Sequence, residues 1–397
     1  MPRGIRGHKL NSIELFAGVG GLAMGVSKAG FEQLFSVEQN RRCCETINLN
    51  IKNGLLDLND WDVLNSRIED SDFSFFSDSV DLISGGPPCQ PFSLGGKHLG
   101  NLDKRDGFPH AIEAIRVVRP KAFLFENVRG LTNKKFSNYF EYVKLCLTYP
   151  DHLKKENETW EEHLSRLEDF HSCGKIIGLN YKVLSKVINA ADYGVPQKRE
   201  RVFIVGFRSD LGVKWHFPMP THSQKALIWS QKTGEYWDNY GISNKKRKLS
   251  HGVLAQFNKI NEEPSSRPWK TLRDAISGLP KPTSQTMDEF RFHNHELRLG
   301  AKPYPGHTGS LLDEPSKTLK AGSHGVPGGE NMIRNYDDSV RYFTIRESAR
   351  LQTFSDDFKF DCAWGQAMWQ LGNAVPVELS MLLSNSIKDS LLNSSKG

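Results

Sequence analysis

A cysteine set among prolines carries the most obvious chemistry in the chain. Cys89 follows the apolar run Leu82-Ile83-Ser84 in the segment DLISGGPPCQPFS, where Pro87, Pro88 and Pro91 restrict the backbone and stop a helix from starting. A thiol positioned just past a strand can act as a nucleophile once ionised. Taken alone, such a cysteine is more often a small buried hydrophobe, so its neighbours decide. One neighbour is Glu126, with Asn127, at the end of the apolar run AFLFENV. A carboxyl at the strand edge where α/β sheets place their sites is a candidate acid. Another is QKRER, in which Arg199 and Arg201 precede the strand-like VFIVGF and by alternation should point to one face. A solvated hairpin fits the same letters.

A second constellation suits a cofactor. IELFAGVGG, Ile13 to Gly21, reads as a strand running into a glycine-rich turn that opens a helix, so that backbone at Phe16, Gly18, Gly20 and Gly21 can approach a ligand closely. The plain reading is a tight strand-to-helix turn. The sharper one is a nucleotide-type cofactor, and GxGG in place of GxGxxG leans away from NAD and toward S-adenosylmethionine. Glu38, at the end of the next strand, stands where nucleotide-binding folds hold ribose hydroxyls. Asp62, in WDVLN, is open to two readings, an acceptor for an adenine amino group or a solvated turn carboxylate.

These residues need a sheet to hold them. SIELF, GLAMGVSKAG, QLFSV, DLISGG, AIEAIRVV and AFLFENV alternate strand-like and helix-like patterns, the βαβ rhythm of a doubly wound, Rossmann-like α/β domain. YKVLSKVINA and RVFIVGF add strands, while DHLKKENETWEEHLSRLEDF (151–170) reads as a weakly helical surface insertion. From about Leu211 to Arg341 the composition turns to Gly, Pro, His, Lys and Ser, the mark of a smaller, loop-rich domain. The tail, RESARLQTF and then QLGNAVPVELSMLLSNSIKDSLL, regains helical periodicity. The expected organisation is a large catalytic and cofactor-binding domain over 1–210, a small domain over 211–365, and a return to the large domain over 366–397.

Composition sets outer bounds. The 397 residues are 38% hydrophobic with a mean hydropathy of -0.50, and no run approaches the roughly 18 apolar residues of a membrane span. The start has no secretory pattern, so a soluble, cytoplasmic protein is expected. The six cysteines contain no CxxC pair, which argues for free thiols over a zinc ribbon or a disulfide framework. A net charge of +6 suits a polyanionic partner.

In this order, FAGVGG, GGPPCQPFS, FENV, QKRER and LGNAV resemble the DNA (cytosine-5) methyltransferase family, over Ile13 to about Gly206 and again over Ile345 to about Val377. The resemblance implies S-adenosylmethionine as cofactor, held by the glycine loop, Glu38 and Asp62, with Pro88 on the nucleophile loop and with Asn373 and Val375 brought back to the cofactor side of the large domain, which the chain would re-enter near Gln366. It makes Cys89 the nucleophile on carbon 6 of cytosine and Glu126 the acid at ring nitrogen 3, a role that requires a raised pKa in a dry site. Arg201 would bind the exocyclic oxygen, Arg199 would support the site and Asn127 would shape it. The target base must leave the helix stack, and Ser93 to Gly107 would fold over the DNA as a lid. A monomer acting on duplex DNA is implied, with a separately encoded restriction endonuclease as a partner; the chain itself shows no nuclease motif.

Between Leu211 and Arg341 only Thr318-Leu319-Lys320-Ala321-Gly322 resembles a family element, so sequence reading is expected here. His293, His295, His307 and His324, with Lys302, Lys317 and Lys320, are candidates for contacts to phosphates or bases. HxH without cysteine partners is a poor metal site, and no metal is expected. The family's tRNA-modifying branch carries a Cys-Phe-Thr element that this sequence lacks. A silent DNA-binding regulator would not need Cys89, Glu126 and Arg201 together.

The charge pattern makes a first prediction. Duplex binding should weaken steeply with salt as neutralised phosphates release their counterions. Replacing Lys245 through Lys248 with alanine should lower the slope of log K against log salt by about 0.9 for every phosphate that the run had neutralised. An unchanged slope in a fluorescence-anisotropy titration would return the run to the solvated surface.

Overall fold

In the computed structural model, residues 10–55, 61–88, 106–174, 178–283, 292–304, 308–321 and 331–394 are described. Cys89, the lid segment as far as Arg105, His307, Gly322 and His324 lie outside the described residues. The chain forms two compact units, one of 1–188, 200–218 and 380–397, the other of 189–199 and 219–379.

The first unit is built on strands β1 (Asn11–Leu15), β2 (Glu32–Glu38), β3 (Asp62–Asn65), β4 (Leu82–Gly85), β5 (Ala122–Val128), β6 (Tyr181–Asn189) and β7 (Glu200–Arg208), with helices α1 (Gly21–Lys28), α2 (Arg41–Lys52), α3 (Phe108–Val118), α4 (Ser137–Thr148) and α5 (Trp160–Ser172). The strands form one seven-stranded sheet in the order β3-β2-β1-β4-β5-β7-β6. The β1–β2, β1–β4, β2–β3 and β4–β5 pairs are parallel, whereas β7 runs antiparallel to β5. Ile13 and Leu15 share a core with Ile83, Phe123, Phe125, Ile115 and Val143, so by alternation Ser12 and Glu14 turn to the opposite face of the sheet. Glu14 is buried there, accepts from Ser84 Oγ at 3.1 Å, and burial holds its carboxyl well above the usual range.

The expected surface insertion is in part structural. α5 starts on a capping box made by Thr159 and Glu162, and it buries Leu167 and His163. His163 stays inside because both ring nitrogens are used, one with Tyr142 Oη of α4 at 3.0 Å and the other with the His152 carbonyl at 2.9 Å.

The second unit contains β8 (His222–Ser223), α6 (Gln224–Thr233), α7 (Glu235–Asn239), α8 (His251–Phe257), β9 (Arg267–Pro268), α9 (Leu272–Ile276), β10 (Ser310–Leu311), β11 (Met332–Arg334), β12 (Val340–Tyr342), α10 (Ile345–Leu351) and α11 (Trp364–Asn373), and α12 (Val377–Ser394) leads out of it. Its sheets are short, with three strands in the order β10-β11-β12 and two in β8-β9, in keeping with a loop-rich composition. One of its cores gathers Leu272, Leu319, Ile333, Phe343, Leu351 and Met368.

These units differ from the expected boundaries at three places. Residues 211–218 stay with the first unit, because Trp215 packs on Phe207 and donates to Ser386 Oγ of α12 at 2.9 Å. Residues 189–199 belong to the second. The return to the first unit comes at Ser380, not near Gln366, because α11 is fastened inside the second unit: Met368 lies in its core, and a Cβ at Gly372 would sit 2.4 Å from the Ala321 nitrogen.

Helices α1 and α12 cross closely. A Cβ on Gly25 would lie 2.3 Å from Ser380 Cβ and 2.6 Å from the Met381 nitrogen, and Ser380 Oγ donates to the Leu22 carbonyl at 2.6 Å. Because α1 also carries the glycine turn at its start, this crossing fixes the turn from behind. Gly25→Ala should destabilise the protein by about 1–3 kcal/mol through overpacking. Gly365→Ala, with nothing within 4 Å of the added carbon, should be neutral or stabilise by up to about 1 kcal/mol. Urea denaturation of the two variants checks both, and equal stability would deny the tight crossing.

Candidate active site

The glycine turn leaves β1 through residues that need unusual backbone. Phe16 has φ 55°, Gly18 φ 56° and Gly20 φ 82°; the last opens α1 in the left-handed region that glycine adopts without steric cost. A Cβ at Gly20 would come within 3.1 Å of the Trp61 ring, whereas at Gly18 nothing lies within 4 Å, so the turn is closed on one side and open at its tip. Gly21 begins the helix and is buried.

Glu38 ends β2 beside this turn. One carboxylate oxygen accepts from the Gly18 nitrogen at 2.7 Å and the other from the Asn40 nitrogen at 2.6 Å. Burial raises its pKa, and those backbone donors pull it back. Each oxygen keeps acceptor capacity for a ligand hydroxyl. Asp62 opens β3 in register with Phe35, while Asn65, in register with Glu38, donates its amide to the Glu38 carbonyl at 3.0 Å. Asn65 is therefore the β3 side chain next to Glu38, and Asp62 stands exposed at the strand's other end. An open glycine tip beside a buried carboxylate fits the ribose and backbone contacts of an S-adenosyl cofactor.

Three strands bring the catalytic candidates together. β4 leads into Gly86-Pro87-Pro88, β5 lies next to it, and β7 follows. The antiparallel register pairs Val128 with Arg201 and Glu126 with Phe203, which brings Arg201 Nε to 3.0 Å from Glu126 Oε1. Arg201 is also held by its own chain, Nη1 donating to the Glu200 carbonyl at 2.8 Å. Glu126 is 7% exposed, and a Cβ at Gly86 would lie 3.8 Å from its Oε2. Asn127 Nδ2 donates to the Pro87 carbonyl at 2.9 Å. Thus β5 grips the Gly86-Pro87-Pro88 segment two positions before Cys89 in the sequence.

The far side of that loop is held by Asp106 and Gly107, the end of the segment expected to fold over DNA as a lid, and by Tyr139, which sequence reading missed. Gly107 donates its N–H to the Pro88 carbonyl at 2.9 Å, and a Cβ there would lie 2.4 Å from Pro88 Cδ and 3.0 Å from the Phe16 ring. Asp106 accepts from the Phe108 nitrogen at 3.1 Å and from the hydroxyl of Tyr139 on α4. No short motif announces this clasp, since its partners are far apart in sequence.

Arg199 does not join Arg201. It is 1% exposed, lies in the second unit, and donates to the carbonyls of Leu319 at 3.3 Å and of Gly372 and Ala374 at 2.9 Å. The alternation argument fails because Arg199 precedes the first residue of β7, where strand geometry does not yet apply. Its neighbour Gln197, also unforeseen, receives the Leu319 N–H at 3.0 Å and donates to the Leu351 carbonyl at 3.2 Å. Asn373 is exposed at the end of α11 and Val375 is buried beyond it, both in the second unit.

Among the recognition candidates, His295 is a satisfied core histidine, bonded to Thr344 Oγ1 at 2.9 Å and the Pro280 carbonyl at 2.8 Å, and it is not free for phosphate. Lys302 and Lys320 are exposed, and His293 is half-buried. Lys317 reaches Thr308 Oγ1 at 3.3 Å. In the basic run Arg247 pairs with Asp238 at 2.5 Å and Lys248 donates to the Tyr336 carbonyl at 2.7 Å, which leaves Lys245 and Lys246 as its outward charges. Among the described residues no group of His, Cys, Asp and Glu could hold a metal, and no helix is long and apolar enough to cross a membrane.

Comparison with known proteins agrees with this arrangement. The family model for C-5 cytosine-specific DNA methylases matches residues 10–148 and 152–389. The Type II methyltransferase M.PspPI of Psychrobacter sp. is 33% identical over 379 residues, covering 94% of this chain and 78% of that protein. M.Eco47II of Escherichia coli is 30% identical over 383 residues, with 94% and 78% covered. In fold, the chain matches a DNA modification methyltransferase encoded within an E. coli prophage, with a TM-score of 0.58 at 20% identity over 96% of this chain and 99% of that one. It matches the S. pombe Dnmt2 methyltransferase at 0.55 and 16%, over 96% and 99%. The motifs, the sheet order and these relationships agree: the chain belongs to the C-5 cytosine-specific DNA methylase family.

Proposed function

We propose that the chain methylates carbon 5 of cytosine within a specific duplex DNA sequence, as the modification enzyme of a bacterial restriction-modification system. It would work in the cytoplasm as a monomer, beside a separately encoded endonuclease. The Type II names of its relatives support that setting. The first unit would bind cofactor and do the chemistry, and the second would read the DNA. The observation that carries the reading is Glu126, buried beside Arg201 on a strand whose Asn127 grips the Cys89 loop.

S-adenosylmethionine, when bound, supplies an electrophilic methyl group. Phe16, Gly18, Gly20, Gly21 and Pro88 would shape its pocket and Glu38 would take the ribose hydroxyls, with Asn65, and not Asp62, on the β3 end beside it. Carbon 5 of cytosine is a weak nucleophile, so the Cys89 thiolate first adds to carbon 6 and turns the ring into an enamine. Glu126 holds a proton at ring nitrogen 3, which accepts the electron pair displaced by that addition. Arg201, held at Nη1 by the Glu200 carbonyl and 3.0 Å from Glu126 Oε1, would bind the exocyclic oxygen. Arg199 acts at a distance, by fixing the LGNAV and Thr-Leu segments. Loss of the carbon 5 proton to solvent water, return of the nitrogen 3 proton to Glu126 and expulsion of Cys89 as its thiolate would restore the aromatic ring.

Two outcomes test this. Glu126→Gln keeps the shape of the site but delivers no proton, so kcat should fall by about 10²–10⁴ while the Kd for S-adenosylmethionine stays unchanged by calorimetry. A matching loss of cofactor affinity would make Glu126 a scaffold residue. The second test replaces the departing proton by fluorine, which cannot leave as a cation. Duplex DNA with 5-fluorocytosine at the target should remain covalently attached through denaturation when S-adenosylmethionine is present, with the adduct mapping to Cys89, and Cys89→Ser should abolish it. An adduct on Cys43, Cys44, Cys146, Cys173 or Cys362 would overturn the nucleophile. Trapping on tRNA in place of duplex DNA would overturn the substrate.

A further inference from the structure

The segment Leu297-Arg298-Leu299-Gly300-Ala301-Lys302-Pro303-Tyr304 carries two cations and no acidic residue. It runs over the surface of the second unit, between α9 and β10 in the chain, and the proposed methyl transfer makes no use of it. Arg298 and Lys302 are exposed and make no ion pair among the described residues. Glu296, the nearest acid in sequence, lies near the buried Arg346. Apolar side chains stand among these charges: Leu299 is 72% exposed and Tyr304 49%. A single exposed leucine needs no explanation, but this loop is held at both ends.

On the near side Asn294 exchanges two hydrogen bonds with Phe360, Nδ2 donating to its carbonyl at 2.8 Å and Oδ1 accepting from its nitrogen at 2.9 Å. The Leu297 nitrogen donates to the Thr283 carbonyl at 2.8 Å. The Arg298 guanidinium then lies 5.8 Å from the centre of the Trp364 ring. That ring is fixed by its own Nε1, which donates to the Phe343 carbonyl at 2.8 Å, and it packs on Tyr342 at 5.1 Å. Burial raises the Tyr342 pKa, Tyr304 raises it further and Arg298 lowers it, so both ends of the loop meet at the pair of Tyr342 and Trp364. Gly300, at φ 91°, turns the chain between the two cations. The backbone is thus anchored while the charged and apolar side chains remain in solvent.

Unpaired cations set among exposed apolar and aromatic groups suit a polyanion that also presents flat apolar surface. A nucleic acid offers both, phosphates for the cations and sugars and base edges for the rest. Because an anchored loop has little freedom left to lose, contacts made by it are retained as affinity. We propose that loop 297–304 is a contact surface for duplex DNA, with Arg298 and Lys302 on backbone phosphates and Leu299 and Tyr304 in a groove against sugars and base edges. This role rests on the second unit's being the DNA reader.

The test uses the full chain saturated with S-adenosylhomocysteine, after bisulfite sequencing of a methylated plasmid has given the target sequence. In fluorescence anisotropy, Arg298→Ala combined with Lys302→Ala should weaken binding to target and unrelated duplexes alike. It should also lower the slope of log K against log salt by about 1.8, at about 0.9 for each phosphate. Leu299→Ala combined with Tyr304→Ala should leave that slope unchanged and reduce the preference for target over unrelated duplex about tenfold. All four side chains are exposed, so the Kd for S-adenosylhomocysteine should not move. The wild type supplies a check that needs no variant: duplex DNA should protect Lys302 from acetylation, read by peptide mass spectrometry. An unchanged slope, an unchanged preference, or acetylation of Lys302 at the same rate with and without duplex would each overturn the role of the loop while wild-type methylation stands. A wild type that neither binds nor methylates duplex DNA would overturn the proposed function, and this role with it.

Discussion

Buried backbone carbonyls must find donors, and in the second unit the ladders of a sheet are too short to supply them. β11 and β12 have only three residues each, so long polar side chains do the work. Arg199 takes the carbonyls of Leu319, Gly372 and Ala374. Gln352 takes those of Leu371 and Ala374, and Gln197 links Leu319 to Leu351. Arg346, wholly buried, donates to His293, Ser355 and Phe358; burial pushes its pKa down to about 10, which still leaves it charged at neutral pH. Removing any one of these guanidinium groups would strand several carbonyls together.

This constraint explains how QKRER divides its labour. The chain passes from the second unit to the first between Arg199 and Glu200. Before that point Gln197 and Arg199 are committed to carbonyls. After it, β7 begins and its antiparallel register with β5 delivers Arg201 to Glu126. One short motif therefore contains two separate devices, one that organises the second unit and one that sets Arg201 beside Glu126. A parallel β7 would have put Arg201 at the opposite end of the sheet from Glu126.

What the sequence disclosed follows the same division. The strand-to-turn transitions at Leu15, Glu38, Gly85 and Val128 were legible because each joins an apolar run to residues of unusual type, and strand periodicity is local. The family's recurring motifs sit at those ends. The unit boundaries were not legible, because Trp215 binding Ser386 and Gly372 abutting Ala321 are contacts between distant segments with no composition change to mark them. Tyr139 escaped, and Asp106 was read as part of a lid, for the same reason, and His295 was misread because an exposed and a buried histidine look alike in a polar stretch.

The glycine turn shows how far from a site its precision can originate. Gly20 is fixed in front by the Trp61 ring and, through α1, from behind by the Gly25–Ser380 crossing. Glu38 then ties the tip at Gly18 to the start of α2 at Asn40. On the other flank, Phe16 meets Gly107, whose position depends on the Asp106 carboxylate and the Tyr139 hydroxyl of α4. Because Gly107 also holds the Pro88 carbonyl, the glycine turn and the Gly86-Pro87-Pro88 segment share one anchor. A shift in α4 would reach both at once, so the two segments are positioned together.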